Sequence, residues 1–129
     1  MRLTQIFVAA SALLFIVIGA ALLINPEILS AVDMAPTTPT GFADARADYG
    51  GATLGIGLFL MLAVFRSTWI RPALWAIGII LGCYALGRVT SLVLDGKPRP
   101  IIYYLTAFEV AGSLCAFALL RFKTSRFNK

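Results

Sequence analysis

The sequence has no histidine, only six acidic residues in 129, and two cysteines, and charged residues of both signs make up just 13% of it. Each scarcity removes a class of function. Without histidine the commonest haem, zinc and copper ligand is missing, as is the usual proton shuttle near neutral pH. Cys83 and Cys115 stand alone in apolar sequence without Cys-x-x-Cys spacing, so they read as small buried hydrophobes rather than a redox dithiol or metal knuckle. No cofactor or metal is expected. Soluble domains carry about 25% charged residues, and here 60% of the chain is hydrophobic. Lipid is therefore the expected solvent, which excludes a soluble enzyme, a secreted disulfide-rich domain and a disordered protein. The net charge of +5 would point to nucleic acid in a soluble protein. Because the cations flank apolar runs, membrane orientation explains them and no nucleic-acid partner is expected.

Four apolar stretches are long enough to span a hydrocarbon core of about 30 Å, which takes roughly 20 helical residues. They run approximately over residues 3–24, 47–65, 72–94 and 100–120, as one domain covering 1–129. Asn25-Pro26 stops the first; Pro72 and Pro100 suit a first helical turn, where a missing N–H costs nothing. The first run exceeds the about 7–15 apolar residues of a signal peptide, so it reads as a retained helix. The fold class expected is all-α: an integral membrane four-helix bundle.

Arg2, Arg66, Arg71, Arg121, Lys123, Arg126 and Lys129 gather at one end of these helices. The loop 25–45 carries Glu27, Asp33 and Asp44 against a single Arg46 at its end, and Asp95, Lys97 and Arg99 occupy the loop after the third helix. The positive-inside rule then puts the N and C termini in the cytoplasm of a multi-pass bacterial inner-membrane protein. Within the loop 25–45, Pro26–Met34 reads as a short interfacial helix. The prolines and glycine of residues 35–41 read as irregular chain.

Charges within a bilayer cost about 2.5–3.5 kcal/mol each on insertion scales and call for an explanation. Tyr84, Arg88, Ser91 and Asp95 share a face of the third helix, and Thr106, Glu109 and Ser113 share a face of the fourth with Gly112 and Ala116. Asp44, Asp48, Gly51 and Gly55 form a third stripe on the second helix. At 1.5 Å per residue, Arg88 lies about 10 Å and Glu109 about 13 Å from the ends joined by the short loop. The two helices are expected to be antiparallel neighbours, with Arg88 and Glu109 in side-chain reach. Asp48 lies nearer the surface, where Arg46 or an upward-reaching Arg88 could meet it. Such a pair either fastens two helices or lines a polar pocket; the number of polar groups at one end favours the pocket.

Gly51-x-x-x-Gly55, Gly78-x-x-x-Gly82 and Gly112-x-x-x-Ala116 allow close helix approach. Gly50-Gly51 lacks the strand and Lys-Ser/Thr of a phosphate loop. Trp69, Trp75, Tyr103 and Tyr104 suit the membrane interfaces.

The segment Arg46-Ala-Asp-Tyr-Gly-Gly-Ala-Thr-Leu-Gly-Ile-Gly-Leu58, the segment Leu86-Gly-Arg-Val-Thr-Ser-Leu-Val-Leu-Asp-Gly-Lys-Pro98 and the last-helix Glu109 together resemble a family of small bacterial four-helix membrane proteins of unknown function. The resemblance covers nearly the whole chain. It implies a four-helix integral membrane fold with Arg46, Tyr49, Arg88, Asp95 and Glu109 at motif positions, and it implies no activity or cofactor.

Three functions compete. The first is a binding protein or small carrier for a polar-headed or anionic small molecule or lipid, held between the second, third and fourth helices by Arg88, Glu109, Asp48, Tyr84, Asp95, Arg46 and Tyr49. There Arg88 would grip the ligand bidentately, and Glu109 would balance its charge. The second is an accessory subunit or assembly factor of a larger membrane complex, favoured by small size. The third, a lipid-modifying enzyme with Glu109 or Asp48 as acid or base, has no nucleophile or metal constellation behind it. Four-helix multidrug exporters are similar in length but carry a glutamate in the first helix, and this first helix has no acid.

Overall fold

A computed structural model of the chain describes residues 3–124, with side chains as far as Arg121. Arg2, Arg126 and Lys129, and the side chain of Lys123, lie outside the described residues. Helix α1 spans Leu3–Ile24, a 3-10 helix Pro26–Val32, α2 Pro39–Asp44, a π-helical segment Ala45–Gly51, and α3 Ala52–Phe65. A 3-10 turn at Ser67–Trp69 leads into α4, Ile70–Leu94, and α5 spans Pro100–Thr124. The described residues are all-α, with no strand. Four stretches are long and apolar enough to cross a membrane: Leu3–Ile24, Pro39–Phe65, Ser67–Leu94 and Pro100–Arg121. The helices group into two compact units that meet in sequence between Ile70 and Arg71.

In the first unit the second spanning stretch begins at Pro39, not near Ala47, so the connection after α1 is shorter than the expected 25–45. Residues 35–41 are only partly irregular. Thr38 is extended, and its Oγ1 accepts from the Gly41 amide at 3.1 Å, while Pro39 occupies the first helical position. Hydroxyl cap and proline together start a helix, because proline's fixed φ suits that position. The α-helical α2 then widens into the π segment and continues directly as α3. Before it, Asn25 caps the 3-10 helix through its side chain, which accepts from the Glu27 amide at 3.2 Å. Leu22, Leu29 and Ala45 form a small buried cluster with Val32 against it, which holds the 3-10 helix against the end of α1.

Glycine sets the α1–α3 approach. A Cβ on Gly57 would lie 2.6 Å from the Ile16 amide nitrogen, and one on Gly50 would lie 2.7 Å from that of Leu23. One on Gly19 would lie 2.7 Å from Leu54 Cα. Only hydrogen fits there, so the backbones touch. The expected pair Gly51 and Gly55 plays no such part. A Cβ on Gly51 would meet just the Arg46 carbonyl at 3.5 Å, and one on Gly55 nothing within 4 Å. Gly50 and Gly57, seven residues apart, share the contact face, whereas Gly51 and Gly55 are turned from it by about 100° and 200° at about 100° per residue.

In the second unit α4 and α5 run antiparallel. Ser113 Oγ donates to the Gly78 carbonyl at 2.8 Å, Phe117 covers Gly78, and Trp75 meets Phe117 edge-on at 5.6 Å. Leu81 Cδ1 fills the space beside Gly112. Gly78, Gly112 and the fully buried Ala116 thus work as small contact positions. Cys83 and Cys115 are exposed, not buried as the sequence implied: in lipid an apolar side chain has no reason to turn inward.

Candidate functional site

On α5, Glu109, Ser113, Ala116 and Leu120 are all buried, and their spacing of four, three and four makes one stripe. Glu109 closes that stripe at the end nearest the α4–α5 connection. Opposite it stands Arg88, whose Nε–H donates to both carboxylate oxygens, at 2.9 Å to Oε2 and 3.1 Å to Oε1. The Glu109 side chain is 8% exposed and that of Arg88 30%. This ion pair fastens α4 to α5 within the second unit, as the helical spacing and the short connection led us to expect.

The manner of the contact decides what chemistry is left over. A guanidinium carries five N–H donors in a planar fork. Here both Glu109 oxygens fall on the single Nε–H, and the four Nη hydrogens make no hydrogen bond among the described residues. Every fully buried side-chain polar atom described has a partner, so the terminal nitrogens are not sealed away. Arg88 is both a fastener and an uncommitted end-on fork.

Along the same face of α4, Tyr84 lies one turn earlier and is 47% exposed. Ser91 Oγ donates to Asp95 Oδ2 at 2.6 Å, and the Asp95 amide closes the helix on the Ser91 carbonyl at 2.8 Å. Gly96, at φ +94°, takes the left-handed conformation that turns the chain toward α5. Residues 3–120 match the family described as a domain of unknown function, DUF4345. The chain belongs to that family. No curated protein and no solved structure matches it.

The remaining candidates of this DUF4345 chain lie in the first unit and have other work. Arg46 Nε donates to the Leu23 carbonyl at 3.0 Å and its Nη2 to the Ile24 carbonyl at 3.4 Å. Its guanidinium also stands 5.9 Å from the Phe42 ring centroid. A cation on the last carbonyls of a helix satisfies groups that have no partner within it and complements the dipole. Arg46 is therefore the C-terminal clamp of α1. Sequence reasoning missed this role because the clamp acts across 22 and 23 residues and no local pattern announces it. Tyr49 OH lies 4.0 Å from Met34 Sδ, tying the π segment to the connection before it. Asp48 is exposed and, among the described residues of the first unit, makes no ion pair with Arg46. Trp69 stacks obliquely on Phe59 at 5.9 Å, and Tyr103 and Tyr104 are exposed near the start of α5. No group of three or more potential metal ligands occurs among the described residues.

Proposed function

We propose that this chain is a multi-pass protein of the bacterial inner membrane that binds a polar-headed or anionic lipid or small molecule at the Arg88 end of the α4–α5 pair. One observation carries the reading: Arg88 is tethered to Glu109 through Nε alone, which leaves its Nη fork for an incoming oxyanion. Such a fork matches carboxylate and phosphate geometry, and a partly exposed arginine among apolar helices is costly unless something repays it. The reading puts both termini in the cytoplasm, because Arg2, Arg66, Arg71, Arg121, Lys123, Arg126 and Lys129 flank one side of the apolar runs in the sequence against Arg46, Lys97 and Arg99 on the other. Glu109 balances the charge of Arg88, and Tyr84 and Asp95 flank the pair. Arg46 and Tyr49 hold the first unit together, so we leave them out of the binding role.

Native mass spectrometry after mild extraction tests this. Wild type should leave the membrane with bound lipid or metabolite, and Arg88→Lys, which keeps the charge but loses the planar fork, should lose most of it while keeping its helical circular dichroism. An unliganded wild type, or a lysine variant with the same ligand complement, would overturn the reading. A protein partner recovered at fixed stoichiometry in place of a ligand would mark an accessory subunit instead.

A further inference from the structure

Arg88 on α4 and Asp95, the first residue past its end, are seven residues apart, two turns that bring both to the same face about 10 Å apart along the axis. Each is half committed. Arg88 uses Nε and leaves its Nη fork; Asp95 uses Oδ2 on Ser91 and leaves Oδ1. The face thus presents an unfilled donor fork and, two turns on, an unfilled acceptor of opposite charge. A purely anionic ligand would gain from the first and be repelled by the second. A ligand with an anionic group at one end and an ammonium at the other would gain from both.

The rise of about 10 Å separates the two Cα atoms, and the two side chains with charge-assisted hydrogen bonds of about 2.8 Å at each end occupy part of the interval. A compact headgroup with phosphate and ammonium two carbons apart, as in phosphoethanolamine, suits that scale. The order of the charges matters as well. With 25 residues, α4 is about 37 Å long, more than the about 30 Å hydrocarbon core, so its ends reach the headgroup layer. Arg88 lies about 9 Å below the Leu94 end, and Asp95 lies just past it. From the bilayer centre outward the face therefore reads apolar helix, Tyr84, guanidinium, hydroxyl, carboxylate. A zwitterionic phospholipid reads acyl chains, esters, phosphate, ammonium in the same direction.

We infer that Arg88 and Asp95 form a two-point site for a zwitterionic phosphoethanolamine-type headgroup, phosphate on the Arg88 fork and ammonium on Asp95. The inference rests on the binding role proposed for Arg88 and adds the ligand's class and the residue that selects it. The same chemistry could arrive on a lipid or as the free headgroup; the placement of Arg88 below the helix end favours the lipid.

Purified wild type, Asp95→Asn, Arg88→Lys and Lys97→Gln should be reconstituted in nanodiscs of equal phosphatidylethanolamine and phosphatidylglycerol. Native mass spectrometry then reads the bound lipid, and soluble phosphoethanolamine serves as competitor. Wild type should enrich the ethanolamine lipid about tenfold. Asp95→Asn should retain lipid but lose that preference, and Lys97→Gln, a neighbouring charge change, should leave it intact. A soluble competitor that displaces the lipid would assign the site to the free headgroup, still in the stated class. Wild type that binds lipid through Arg88 with no ethanolamine preference, or Asp95→Asn that keeps it, would overturn this inference and leave the Arg88 role standing. If Arg88→Lys changes nothing, both fall.

Discussion

Removing the Arg88 guanidinium would leave the Glu109 carboxylate, 8% exposed at its side chain, with no charge partner among the described residues. Breaking a buried ion pair from one side costs about 3–5 kcal/mol, because an unpaired charge stays behind. Arg88 is 30% exposed, so part of the attraction is screened and the cost falls below that range, to about 2–3 kcal/mol. Glu109→Ala leaves the more accessible partner behind and should cost less, about 1–2 kcal/mol on the same reasoning. With both gone no stranded charge remains, so the double variant should be more stable than the summed losses predict by about 1–2 kcal/mol. Dodecyl sulfate-titrated unfolding in mild detergent reads all four proteins. Trp75, in edge-on contact with Phe117 of the facing helix, reports separation of α4 from α5 by fluorescence, provided Trp69 is replaced by phenylalanine in every variant. Losses that simply add would show that the two side chains do not depend on each other, whatever their 2.9 Å separation.

Two other expectations follow from packing. Gly57→Ala should cost about 1–3 kcal/mol, since its methyl would press on the Ile16 and Phe15 backbone and helix backbones cannot yield as a flexible side chain does; Gly55→Ala, with nothing within 4 Å, should be neutral, and equal effects in the same unfolding assay would refute the assigned contact face. Arg46→Ala should lower stability by about 1 kcal/mol through loss of the α1 clamp and raise amide exchange over Asn25 to Met34, without altering the lipid bound at Arg88; unchanged exchange there would deny it the clamping role.

How much of this could be read from the residues depends on what kind of contact each makes. The end of α1 at Ile24 is legible because Asn25-Pro26 is a local stop. Arg88 facing Glu109 is legible because helical periodicity and a five-residue connection leave few other arrangements. The start at Pro39 was obscured by the same prolines that seemed to forbid a helix: Thr38 and Pro39 are a start signal only when the hydroxyl is recognised as the cap. The glycine face was misjudged because Gly51 and Gly55, four apart, and Gly50 and Gly57, seven apart, are both regular same-face spacings, and residue types alone do not choose between them. Cys83 and Cys115 were misplaced for a more general reason. Where lipid is the solvent, hydrophobicity no longer separates inside from outside, and small size and hydrogen-bonding capacity take over that task.

That principle also separates the two arginines that the sequence put on equal footing. Arg46 and Arg88 both sit beside polar and glycine-rich neighbours, and both carry a planar fork. In the first unit the fork meets the carbonyls of Leu23 and Ile24, groups that a helix end always leaves without internal partners. Two of its five N–H donors are committed to the end of α1, and the Phe42 ring stands beside the guanidinium. In the second unit the one partner of the Arg88 fork among the described residues is a carboxylate bound through one nitrogen. Such an arrangement is stable without a ligand, because the charges cancel, and still offers four donors to one. A chain that needed merely to fasten α4 to α5 already has Ser113 on Gly78 and the Phe117 contact to do so. The ion pair is a further fastener of that seam, and its unused Nη edge is the feature on which the proposed binding role rests.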